Sequence, residues 1–347
     1  MKLRSVATEL PSREVTNADV TRLIQRHSAE GFVGDLDHTL SRITAFLRYS
    51  GSVTRHWLDA GERPIDLLRT AANSALAKAD IAAGEIDVLI YTGVARGFLE
   101  PAGAYHSAAA IGLDNAQCFD ILDACMSWTR AVQLADALFR TGEYRTAMIV
   151  NAEFNLRAGG PVYPRTFRLE NVEHLQSTLP VYTLGEAATA TVLTSEEAEP
   201  WRFRFISRPD LAPLCNVTLE GYEGYCEPSD KIARNGVGTF TSFGFDMHAA
   251  GKPEADKVLQ QLDPPIDEVA ALFTHASSKR EWQAGADRLG LGSVIHHVYD
   301  RMGNVVSASV PAAIDSAVEA GRLRPGQRAV GWVGSAGMSF GAFTFVL

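Results

Sequence analysis

Cysteine is scarce in this sequence, with four in 347 residues: Cys118, Cys125, Cys215 and Cys226. So few in a chain this long do not make a disulfide framework, and no two have the C-x-x-C spacing of a zinc or redox motif. Long apolar runs are also missing. Nothing approaches the ~18 consecutive apolar residues of a membrane span, and the opening residues 1–11 hold too short an apolar stretch for a secretory signal. Positive charge is in the minority, 32 Lys and Arg against 41 Asp and Glu for a net −9, which argues against a general nucleic-acid binder. These absences predict a cytoplasmic protein with reduced thiols and no metal, membrane or nucleic-acid partner. The one adjacent histidine pair, His296-His297, has no Cys or carboxylate at ligand spacing beside it.

With 46% hydrophobic and 21% charged residues, the composition is that of a globular protein, and the length suits two domains of ~100–200 residues each. Strand-like runs fall at 87–91, 147–150, 188–193, 269–273, 330–333 and 342–347. Helical patterns fall at 64–79, 126–140, 281–289 and 310–320, the last two each followed by a glycine stop. The alternation points to an α/β fold. A weak repeat runs through it. I-D-V-L-I-Y-T-G (86–93) parallels I-D-E-V-A-A-L-F-T-H (266–275). The helix end, glycine turn and strand of 135–151 parallel those of 317–334. The expected halves are 1–195 and 200–347, joined by the polar segment 195–200. Periodicity fades at 28–60 and 154–180, where loops or lids are expected.

If the halves pack about a pseudo-dyad, Cys125 at the start of one helix and Asn304 just before its counterpart come together. His275, at the end of a strand, faces the same place. A helix N-terminus favours a thiolate there, and a thiolate can take an acyl group from a thioester. Each residue alone has an ordinary reading: a small buried thiol, one of nine histidines, and a turn asparagine beside glycine. Position and pairing carry the argument.

D-I-L-D-A-C-M-S-W (120–128), T-H-A-S-S-K-R (274–280) and M-G-N-V-V-S-A-S-V-P (302–311) resemble the three active-site segments of 3-oxoacyl-ACP synthase III, in the thiolase superfamily. L-P-S-R-E-V-T-N-A-D-V (10–20), L-G-E-A-A-T-A-T-V-L (184–193), G-R-L-R-P-G-Q-R and the closing G-S-A-G-M-S-F-G-A-F are similar to further segments of that family. The resemblance implies a five-layered α-β-α-β-α fold of two pseudo-symmetric halves, normally a homodimer without cofactor. Its substrates are thioesters carried on the phosphopantetheine of CoA or acyl carrier protein. It implies that Cys125 carries the acyl group, while His275 and Asn304 hold the thioester carbonyl of malonyl-ACP and stabilise the enolate formed on decarboxylation. An oxyanion hole is implied at the backbone N–H of Cys125 and one in Ser335-Ala336-Gly337, so Ala336 and Gly337 are candidates.

The departures bear on substrate. Family members hold the CoA adenine with a Trp and an Arg, whereas the matching stretch here, 45–51, has no Trp; an acyl-ACP donor avoids that pocket. Glu100, before Pro101, stands where an apolar residue often bounds the acyl pocket across the dimer. Glu186 replaces the family's usual Asp, with a structural effect expected. Lys279 and Arg280 are candidates for contact with carrier protein or phosphopantetheine; Arg202, Arg204 and Arg208 read as a solvated basic face. Two other functions stay open: transfer of the Cys-bound acyl group to a hydroxyl or amine, and a non-catalytic subunit that binds carrier protein.

Overall fold

Val88–Thr92, Thr146–Glu153 and Ala187–Thr194 are mostly apolar and buried on both faces, a pattern that suits strands covered from two sides. In the computed structural model, which describes all 347 residues, they form the middle of a five-stranded sheet. Its order is β1 (Lys2–Glu9), β7 (Ala187–Thr194), β6 (Thr146–Glu153), β4 (Val88–Thr92) and β5 (Gln117–Ile121). A second sheet runs β8 (Arg202–Ser207), β13 (Ser339–Val346), β12 (Arg328–Ser335) and β11 (Val269–Thr274).

The sheets share one pairing scheme. β1–β7 and β7–β6 are antiparallel and β6–β4 parallel; β8–β13 and β13–β12 are antiparallel and β12–β11 parallel. Where the first sheet adds the parallel strand β5, the second has only a single bridge between Leu272 and Ile295. Strand β5 therefore ends its sheet with an unpaired edge.

Alternation along each strand divides the core. Val88, Ile90, Ala147 and Ile149 face a central layer shared with Ala271, Phe273, Ala329 and Val333 of the second sheet. That layer is the helix pair Ser127–Arg140 and Ser309–Glu319, which contributes Trp128, Ala131, Val132, Ala312 and Ile314. Leu89, Met148 and Val150 face the other way, onto helices Pro64–Ala79 and Gly103–Ile111. Helices Gly244–Leu262 and Lys279–Arg288 cover the second sheet in the same manner. The result is the five-layered α-β-α-β-α arrangement. No helix is long and apolar enough to cross a membrane.

Two regions differ from expectation. Residues 28–60 are not mainly loop. The chain forms helices Asn17–Ser28 and Leu36–Ser50 and the ribbon β2 (Arg13–Thr16) with β3 (Thr54–Trp57). Asp35 caps the second helix by accepting from the His38 N–H, and Gly51 ends it in the left-handed region at φ +84°. Leu40, Ile43 and Leu47 have helical spacing, but polar neighbours dilute the period. Residues 154–180 form short helical turns whose Val162, Phe167, Leu169 and Leu175 share a third core with Ile24, Ile43 and Leu47. These residues pack inward from successive turns rather than along one helix, so no period appears.

Glu186 fastens this cap. Its carboxylate accepts the Leu156 N–H on one oxygen and the Leu58 N–H on the other, both at 2.7 Å. Burial pushes its carboxyl up to about 7, against the pull of those donors. A raised value means the fold favours the neutral acid. Its stabilising effect is full below pH about 4.5 and is lost as pH rises through about 7, a change of about 3 kcal/mol. Denaturant unfolding should therefore show wild type losing about that much relative to Glu186→Gln between pH 4.5 and 8. A gap that stays constant over this range contradicts the assignment.

Candidate active site

The site is built where the backbones of the two halves touch. Asn304 donates its N–H to the Thr183 carbonyl (2.8 Å) and its carbonyl accepts the Gly185 N–H (3.0 Å), a parallel bridge across the molecule. The approach requires glycine on both sides. A Cβ on Gly185 would lie 1.8 Å from the Met302 carbonyl oxygen, and Gly303, at φ +69°, would place one 2.5 Å from that of Thr183. With its backbone held in this way, Asn304 turns its Oδ1 onto the Val306 N–H at 2.9 Å. That bond orients the carboxamide and leaves Nδ2 as a donor.

Val306 has φ +50°, a left-handed conformation that is rare for a β-branched residue. The turn Val306–Ala308 leads into helix Ser309–Glu319. His275, at the end of β11, is 6% exposed and packs against this turn: Nδ1 lies 3.4 Å from Ser309 Oγ. Burial holds its imidazole down at about 4, partly offset by the Val306 carbonyl, so the ring is neutral at pH 7.

Cys125 lies in the tight turn Ala124–Met126 that opens helix Ser127–Arg140, and that turn packs on Val306–Ala308. Ala124 adopts φ +44°. The turn is also tied to the end of β12: Ser335 Oγ accepts the Met126 N–H (3.2 Å) and donates to the Asp123 carbonyl (3.1 Å). Backbone N–H groups of Cys125 and Ala336 are aimed at the Cys125 sulfur. Ala336 has no positive φ, whereas the neighbouring Gly337, at φ +120°, occupies the region that favours glycine.

One expectation is corrected. The helix start does not leave Cys125 a thiolate. Burial pushes the thiol well above its ordinary range, and Cys215 and Glu153 push it further, while the two N–H groups only partly oppose them. Desolvation outweighs the helix end.

The structure thus gathers the Cys125 turn, His275 and the Asn304 segment on one short turn. It places the carrier-contact, acyl-pocket and basic-face candidates elsewhere. Lys279 pairs with Asp300 at 2.9 Å. The guanidinium of Arg280 lies 4.3 Å over the Tyr49 ring, whose hydroxyl donates to Glu281 (2.9 Å). Glu100 is exposed, beside exposed Phe98 and Leu99. Arg202 bonds the Leu262 carbonyl, Arg204 that of Phe203, and Arg208 pairs with Asp210 and Glu254. Sequence reasoning missed the buried polar chain Thr189–Asn151–Ser307–Glu153 behind the turn. Its signal was present: Asn151 and Glu153 end an otherwise apolar strand.

Comparison with known proteins finds similarity over most of the chain. The model of the family described as 3-oxoacyl-[acyl-carrier-protein] synthase III, C terminal, matches residues 259–347. The chain is 27% identical over 336 residues to the beta-ketoacyl-ACP synthase III of Rhodospirillum centenum, covering 94% of each. It is 28% identical to that of Acidiphilium cryptum, over 93% of this chain and 92% of that one. Among solved structures, a cysteine-to-serine variant of Xanthomonas campestris OleA with bound lauric acid and lauroyl-CoA matches with a TM-score of 0.81 at 21% identity, covering 99% of this chain and 98% of that one. The 3-oxoacyl-ACP synthase III of Aquifex aeolicus matches with a TM-score of 0.78 at 18% identity, over 100% and 99%. These structural matches establish the fold.

The raised thiol has a direct consequence. Alkylation by iodoacetamide, read per residue by mass spectrometry, should modify exposed Cys226 before Cys125 at pH 7, and the Cys125 rate should still be climbing above pH 9. A Cys125 rate already level at pH 7 overturns the reading.

Proposed function

We propose that this chain, a beta-ketoacyl-ACP synthase III-like acyltransferase with the thiolase fold, takes an acyl group from a thioester onto Cys125 and condenses it with a malonyl-ACP-type extender. The observation that carries the proposal is the meeting of the Cys125 turn, His275 and Asn304 on the turn Val306–Ala308. The Cys125 sulfur attacks the donor carbonyl, the donor thiol leaves with a proton, and a thioester remains on the protein. The extender then binds with its thioester carbonyl against His275 and the Asn304 Nδ2. Loss of CO2 places the electron pair on that carbonyl oxygen as an enolate, where two fixed donors stabilise the developing charge. The enolate carbon attacks the acyl-Cys125 carbonyl, whose oxygen is met by the backbone N–H of Cys125 and by that of Ala336 or Gly337. The thiolate then leaves and the new carbon–carbon bond is complete.

As a neutral ring His275 carries a single N–H, and the proposed role requires the tautomer that keeps this proton on the nitrogen facing the extender carbonyl. Arg280 follows His275 by five residues, at the start of helix Lys279–Arg288, so a carrier protein is proposed to dock there with its phosphopantetheine reaching inward. Lys279, held by Asp300, supports the same face. Homodimerisation is proposed through the free edge of β5, with Glu100 bounding the partner's acyl pocket. The division into halves of 1–195 and 200–347 belongs to the same reading.

The test uses intact-mass measurement of acyl loading from acyl-ACP and acyl-CoA donors, with CO2 release from malonyl-ACP measured in parallel. Cys125→Ala should abolish loading. His275→Ala and Asn304→Ala should load but lose condensation by about 100-fold or more. Equal loss of loading in all three, or acyl transfer to an alcohol without CO2, defeats the proposal.

A further inference from the structure

One buried acid has no part in the scheme above. Glu153 closes β6 with 0% of its surface exposed, and the groups that hold it include no cation. Its carboxylate accepts the Ser307 N–H (3.2 Å) and hydroxyl, the Val94 N–H (3.1 Å) and the Asn155 Nδ2 (3.2 Å). The direction of this network is set upstream. The Thr189 hydroxyl donates to Asn151 Oδ1 at 2.9 Å, and Asn151 Nδ2 donates to Ser307 Oγ at 3.0 Å. The Ser307 proton is thereby directed to Glu153. Burial pushes the Glu153 carboxyl above its ordinary range, and this one-way chain of donors opposes that rise by favouring the ionised form.

Geometry gives this anion two neighbours that matter. Ser307 belongs to the turn that orients Asn304 and backs His275. The Cys125 turn packs on the same residues. We infer that Glu153 is a positioning residue: it fastens the Val306–Ala308 turn of one half to β6 of the other, and sets a negative charge near the Cys125 thiol. The first effect holds Asn304 and His275 in register with the thiol. The second keeps the sulfur protonated in the resting protein, in the direction already described for Cys125.

The surrounding titratable groups are few. Tyr91 faces Glu153 from β4, with Arg96, Asp120 and Arg157 grouped about Tyr91. Cys215 faces Cys125 from β9 (Cys215–Asn216), and His275 approaches from β11. All except Glu153 are unchanged in the variants below, so a shift in the Cys125 profile reports Glu153.

The experiment is the pH dependence of Cys125 alkylation by iodoacetamide in wild type, Glu153→Gln and Glu153→Asp, with acyl loading and condensation measured on Ser307→Ala. Removing the charge should lower the Cys125 midpoint by about one pH unit, a roughly tenfold faster reaction below the midpoint. Glu153→Asp keeps the charge and should keep the wild-type midpoint. Ser307→Ala should load normally and condense at least tenfold more slowly. An unmoved or higher midpoint in Glu153→Gln overturns the inference, and so does full condensation by Ser307→Ala. If Glu153→Gln does not fold, as judged by circular dichroism, the Ser307→Ala result decides. The consequence for condensation rests on the proposed function, but the alkylation result does not. A wild type that never condenses defeats the function and leaves the thiol comparison standing.

Discussion

The parallel bridge between Leu184 and Asn304 is the contact on which the site depends. It joins the entry to β7 in one half with the segment before helix Ser309–Glu319 in the other. Two glycines, Gly185 and Gly303, let the chains approach to hydrogen-bonding distance. Once Asn304 is held there, its side chain bonds the Val306 N–H, and the strained Val306 conformation turns the chain so that Ser307 reaches Glu153 and Ser309 reaches His275. A single backbone crossing thus sets the direction of several side chains. The strain at Val306 persists because the bonds on either side over-determine it.

Burial has opposite effects on the two titratable groups of the site, and both follow from one cause. An enclosed environment disfavours charge, so the Cys125 thiol is raised and the His275 imidazole is lowered. The resting pair is therefore a thiol and a neutral ring rather than a thiolate and an imidazolium. In the proposed reaction such a pair would offer a hydrogen-bonding ring to the enolate oxygen and make acylation the step most sensitive to base. The N–H groups of Cys125 and Ala336 near the sulfur are too little to reverse desolvation.

Much of the framework was legible in the residues. The strands at 147–150, 188–193 and 269–273 and the helices at 64–79 and 310–320 read clearly, because long apolar or amphipathic runs bury surface wherever they are placed. The repeat pairing 86–93 with 266–275 corresponds to β4 and β11, which hold equivalent places in their sheets. The helix Leu36–Ser50 and the 154–180 cap were not legible. Their apolar residues are sparse and serve a third core that exists only when both segments come together. Glu186 and Glu153 were hard to assign for a similar reason. A carboxylate inside a protein is defined by its donors, and those of Glu186 come from residues 58 and 156, far away in the chain.

The sequence by itself determined the alternation of elements, the doubled architecture and the three segments that resemble a condensing enzyme, since these rest on local pattern and residue type. Tertiary structure alone decided the ionisation of Cys125 and His275, the orientation of the Asn304 carboxamide and the engagement of Glu153. Each of these depends on how completely water is excluded and on which distant N–H or O–H group points at the atom concerned, and neither quantity exists until the two halves have closed on each other.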